Sequence, residues 1–158
     1  MNAIRRVITL LLCVVVISLM FIIPAQAATS CHKINAKGVG QDLDGGATTA
    51  EIIGGGFLHG TTVGNFIITG VVGTVASLAG TVTFTTHKST LTVTVAGTFD
   101  VATGAFSASG PVTAATGKLA GATGALLFIG DEDLSTGRFV EDVTGDICTD
   151  LAPSGRNH

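Results

Sequence analysis

Hydrophobic and polar positions alternate most clearly along Leu91-Thr-Val-Thr-Val-Ala-Gly-Thr-Phe99. Leu91, Val93, Val95 and Phe99 fall on one face, and Thr92, Thr94 and Thr98 fall on the other. A period of two in β-branched residues predicts a strand with one buried face. Val82-Thr-Phe-Thr-Thr86 repeats the pattern one strand earlier, with His87-Lys-Ser89 as the turn between them. Phe106 opens a further strand, and Lys118 to Ile129 and Arg138 to Cys148 supply the last two. Upstream, strands are expected over Lys33–Val39, Ala50–Ile53, Phe57–Thr62 and Asn65–Val75. Short strands separated by glycine-rich turns make an all-β sandwich or barrel.

A turn motif occurs twice, as Asp100-Val-Ala-Thr-Gly104-Ala-Phe106 and as Asp133-Leu-Ser-Thr-Gly137-Arg-Phe139. An aspartate can accept hydrogen bonds from amides two or three residues on, and the glycine supplies a positive φ. Asp100, Gly104, Asp133 and Gly137 are therefore expected to shape hairpin tips, each a type I turn followed by a bulge. Two segments, Phe66-Ile-Ile68 with Val71-Val72 and Leu126-Leu-Phe-Ile129, are apolar on both faces. A barrel strand buries one face, so the other needs a cover: the N-terminal segment or a homo-oligomeric neighbour, or in a sandwich a loop.

The N-terminus has its own pattern. Arg5 and Arg6 precede an apolar run from Val7 to Ile23, then Pro24 and Ala25-Gln-Ala27. A basic start, an apolar middle and an A-x-A site predict a signal peptide over residues 1–27, leaving residues 28–158 as one exported β-domain. An uncleaved anchor is the competing account, since the run is near the shortest length that spans a bilayer. A lipid-modified Cys31 is another, from the loose likeness of Ala28-Thr-Ser-Cys31 to a lipoprotein site. Any membrane association would run through this segment alone.

Cleavage at Ala27 would remove two of the eight basic residues and one of the three cysteines, Cys13, moving the net charge from −3 to about −5. An acidic chain without a basic patch repels phosphate backbones, which argues against nucleic acid. The absence of Trp and Tyr also takes away stacking platforms for bases and weakens the case for carbohydrate binding. Cys31 and Cys148 remain as an even pair, which in an oxidising compartment predicts a disulfide. No cysteine or histidine spacing suits a zinc site.

Short glycine-centred strings run through the domain: Cys31-His-Lys-Ile34, Gly54-Gly-Gly-Phe-Leu-His-Gly-Thr-Thr62, Ala115-Thr-Gly-Lys-Leu-Ala-Gly-Ala-Thr-Gly124 and Val143-Thr-Gly-Asp-Ile-Cys148. In order and spacing they resemble a group of uncharacterised secreted bacterial proteins, and the third is similar to a string in allene oxide cyclase and dirigent barrels. The resemblance implies an eight-stranded antiparallel barrel, often oligomeric, with a cavity inside. Lys118 and Leu119 depart from that string, and the polar residues of cyclase chemistry have no one-to-one counterparts here.

Candidate chemistry is sparse. His59 is the single acid, base or polar anchor to consider, against the alternative of a surface histidine. His87 is expected to be solvated, and His32 adjoins Cys31 with no evident partner. Seven of the eleven acids lie from Asp131 onwards. Asp131, Glu132 and Asp133 could offer oxygens to a hard cation, although no EF-hand loop accompanies them and a solvated acidic tip serves equally. No G-x-S-x-G elbow and no dinucleotide fingerprint is present, and no cofactor is indicated. The pattern favours an exported, non-catalytic barrel that binds a small apolar ligand or a protein partner. A cyclase- or dirigent-type enzyme and a structural surface protein are the alternatives.

Overall fold

The computed structural model describes residues 29–43 and 45–149. The expected signal peptide, Asp44 and Asp150 lie outside the described residues. Eight strands form one closed antiparallel barrel in chain order: β1 (Ser30–Leu43), β2 (Ala47–Gly54), β3 (Gly60–Val72), β4 (Val75–Thr85), β5 (Thr90–Asp100), β6 (Ala105–Ala115), β7 (Thr123–Asp133) and β8 (Arg138–Thr149). Closure removes the sheet edges that would otherwise invite aggregation. It is made by β1 and β8, which pair from Ser30 opposite Thr149 to Gln41 opposite Arg138. Cys31 and Cys148 are register partners on this seam and form the expected disulfide, 117 residues apart in sequence.

The alternation read along β5 holds, with Leu91, Val93 and Val95 buried inside. The threonines of its outer face ladder to their neighbours, Thr83 Oγ1 to Thr92 Oγ1 at 3.1 Å and Thr94 Oγ1 to Thr113 Oγ1 at 3.0 Å. Three expected elements differ. Phe57–Thr62 is not one strand: from the third of three consecutive glycines, Gly56–Leu58 is a 3-10 turn, and β3 begins at Gly60. Asn65–Val75 is split by the tight turn at Gly73-Thr74, so its two ends belong to β3 and β4. In the third, Gly117–Leu119 is a second 3-10 turn, and β7 starts only at Thr123.

The two 3-10 turns close one end of the barrel. Each sends a leucine into the lumen, Leu58 and Leu119, both buried. They sit on a packed layer that includes Ile34, Ile52, Phe84, Leu91 and Ile147. The second turn is tied to the β4–β5 connection, where the Lys118 amide donates to Ser89 Oγ at 2.9 Å.

The opposite end carries the duplicated turns. The Gly104 amide donates to the Asp100 carbonyl at 2.8 Å, and the Gly137 amide to that of Asp133 at 2.7 Å. The carboxylates accept as expected: Asp100 Oδ1 from the Ala102 amide at 2.9 Å, Asp133 Oδ1 from the Ser135 amide at 2.9 Å and its hydroxyl at 2.6 Å. Gly104 and Gly137 take φ of 82° and 68°, a region costly to any residue with a Cβ. These bonds hold both carboxyls below the usual range, chiefly through the Ala102 amide for Asp100 and the Ser135 hydroxyl for Asp133.

Of the two segments apolar on both faces, Leu126–Ile129 alternates as a barrel requires, whereas β3 is exposed throughout from Ile67 to Val72. Leu126 and Phe128 point inward and are buried, while Leu127 and Ile129 face out. Ile67 is 68% exposed on the outer wall of β3, and nothing among the described residues covers it.

Candidate functional site

An eight-stranded barrel is just wide enough to be filled by side chains or to hold one small ligand. This lumen does both, along its length. The half near the 3-10 turns is solid, and the half near the duplicated turns holds a cavity of about 360 Å³. Five phenylalanines line it: Phe66, Phe99, Phe106, Phe128 and Phe139. Exposed Ile68 and Leu134, with Asp42, mark its mouth. Phe84 and Val93 are buried in the solid half, whereas Phe99 and Phe128 border open space.

Glycines on the inner face make room for large side chains on the neighbouring strand. Gly130 lies opposite Phe106, and a Cβ there would come within 2.5 Å of its ring. Gly80 opposes Phe66 and Gly40 opposes Phe139 in the same way. The β8 sequence Phe139-x-Glu141-x-Val143-x-Gly145-x-Ile147 runs along the inner face, and this phase carries Glu141 into the lumen. Both cross-strand neighbours of Glu141 are glycines, Gly38 on β1 and Gly130 on β7. A Cβ on Gly38 would fall 2.5 Å from Glu141 Oε1. Gly38 thus leaves a seat for the carboxylate on β1, while Gly130 gives way to Phe106.

Glu132 lines the same cavity from β7, one inward step nearer the mouth. Neither glutamate meets a cation there, since no Lys, Arg or His is among the lining residues. Burial alone pushes the Glu141 carboxyl up to about 7. Burial, then repulsion from Asp42, raises Glu132. A group that titrates near neutrality in an apolar pocket can hold or release a proton, and can anchor a ligand by a charge-assisted hydrogen bond.

A pH effect on stability follows. In the unfolded chain a glutamate titrates at about 4.3, and folded Glu141 at about 7. Between those values the folded protein keeps a proton that the unfolded chain has released. Its contribution to stability therefore falls as pH rises through this window and levels off above it. Glu141→Gln is expected to be more stable than the parent at pH 8 by about 1–3 kcal/mol, and equal to it at pH 4. Denaturant titrations at pH 4, 6 and 8 check this, and a constant difference across all three would contradict it.

The other candidates lie elsewhere. His59 caps the first 3-10 turn at the closed end, exposed and away from the cavity. His87 is exposed in the β4–β5 turn. His32 does have partners, contrary to the sequence reading: Ser30 Oγ lies 3.0 Å from its Nε2, and its ring meets Phe57 edge-on at 5.5 Å. Strand alternation separates Asp131, Glu132 and Asp133, so that Glu132 enters the lumen while Asp133 is bound up in its turn. Among the described residues, no group of three or more His, Cys, Asp or Glu side chains could hold a metal ion. No protein-family model matches the chain, and no curated protein matches it.

Proposed function

We propose that this is an exported binding protein that takes a small, largely apolar molecule into the open half of its barrel. The observation that carries the reading is the cavity walled by five phenylalanines and open at one end. Ligand sites are typically concave and mostly apolar, with a few placed polar groups, and here Glu132 and Glu141 are those groups. The signal-like residues 1–27 and the Cys31–Cys148 bond support export. Exposed Ile67 and Val72 suit a second copy of the chain on the outer wall of β3.

The neutral probe N-phenyl-1-naphthylamine tests the reading, since its fluorescence rises on entering an apolar site. The parent is expected to bind it. Ala108→Trp, which places an indole inside the cavity wall, is expected to weaken that binding at least about tenfold, or 1.4 kcal/mol. Melting curves confirm that the variant is folded. Probe binding unchanged by the indole, or none by the folded parent, would defeat the proposal.

A second reading draws on Glu141. A carboxyl titrating near neutrality inside an apolar cavity suits cyclase- or dirigent-type steering of a reactive molecule, as the sequence resemblance suggests. Fold likeness is weak warrant for activity, so binding is the reading preferred.

A further inference from the structure

We infer that the cavity selects a cationic amphiphile: an organic amine or quaternary ammonium whose apolar body packs among the phenylalanines and whose charge meets Glu141 and Glu132. The inference rests on the binding reading above and names its ligand class.

Three features of the site converge on this chemistry. The first is charge. The cavity's ionisable lining is Asp42 from β1, Glu132 from β7 and Glu141 from β8, with no lysine, arginine or histidine among the lining residues. Glu141 has no hydrogen-bond partner among the described residues, unlike Asp100 and Asp133 in their turns. An anion would meet three like charges, whereas a cation offers Glu141 the partner it lacks.

The second feature is the seat. Gly38 and Gly130 flank Glu141 on both sides, so no neighbouring Cβ stands between the carboxylate and the lumen. A methyl on Gly38 would press on the carboxylate itself. The third is the aromatic wall. Phenylalanine faces attract ammonium groups through the ring quadrupole, more strongly when both are withdrawn from water. A neutral ligand would use the rings and leave the carboxylates unmatched. An amine uses both.

Binding a cation also favours ionised Glu141 over its protonated form, so affinity should fall as the pH drops below neutrality. Glu132, which burial also raises, acts in the same direction, and Asp42 faces the same space.

Calorimetry with three matched probes, 4-phenylbutylamine, 4-phenylbutanol and 4-phenylbutyrate, tests the inference on the full exported chain. At pH 7.5 the amine should bind at least about tenfold more tightly than the alcohol, with the acid weakest, and this preference should shrink at pH 5. Glu141→Gln should bring the amine towards the alcohol, while Asp146→Asn, on the outer wall, should leave the preference intact. Equal binding of amine and alcohol, or a preference that survives Glu141→Gln, would overturn the inference while leaving the apolar-cavity reading standing. Failure of all three probes together with N-phenyl-1-naphthylamine would overturn both.

Discussion

Replacing Cys31 and Cys148 together with serine is expected to lower the stability of the barrel by about 4 to 5 kcal/mol. The bond joins the first strand to the last and encloses nearly the whole domain, its two cysteines 117 positions apart in sequence. In the chain-entropy picture a cross-link acts mainly on the unfolded chain, and the benefit grows with the logarithm of the loop. The cysteines lie on the seam where β1 meets β8, the pairing that turns a curved sheet into a closed barrel. Of all the strand pairs this one joins residues farthest apart in sequence, so its closure entropy is the largest to be met. Denaturant titrations of the parent and the double variant give the difference. A loss below about 1 kcal/mol would mean that the unfolded chain is already compact enough for the bond to restrict little.

Phe84→Ala is expected to cost about 3 to 5 kcal/mol, the range for truncating a fully buried aromatic. Phe84 is completely buried, and its ring centre lies 6.1 Å from that of Phe128. Phe128 lines the cavity, so Phe84 is the part of the solid half that backs onto the open half. Removing the ring would extend the cavity towards the 3-10 turns rather than create a sealed void. Ile67→Ala, on the exposed outer wall, serves as the comparison and should stay within about 0.5 kcal/mol of the parent. Thermal and chemical denaturation of the two variants separate these outcomes, and similar losses at both positions would mean that the outer wall is covered by another chain.

Much of this architecture was legible in the residues. The threonine alternation of β5 and the duplicated Asp-to-Gly turn required little beyond pleat geometry and local hydrogen bonding. The site was harder to see. Glu141 stands among acids that look like a solvated tip, and its significance lies in phase. It shares parity with Phe139, Val143 and Ile147, so the rule that places those three inside places it inside as well. An acid in the apolar phase of a strand was the available signal. The glycines opposite it could not be recognised in advance, because cross-strand register depends on which strands meet. His59 drew notice because Phe57–Thr62 resembles a strand, but the run Gly54-Gly55-Gly56 breaks the chain into a tight turn first. The open half of the lumen was equally hidden, since the same phenylalanines could have filled it.

The position of the disulfide also bears on how the protein would respond to force. Ser30 and Thr149 face each other at the closed end, and Cys31 and Cys148 come one residue inside them. Tension applied through the two ends of the domain would pass from one strand to the other across the sulfur atoms. The hairpins, the cavity wall and its mouth would lie outside the load path. Pulled at both ends, the barrel would bear almost no strain and would keep its mouth open to solvent, as long as the covalent link stayed oxidised.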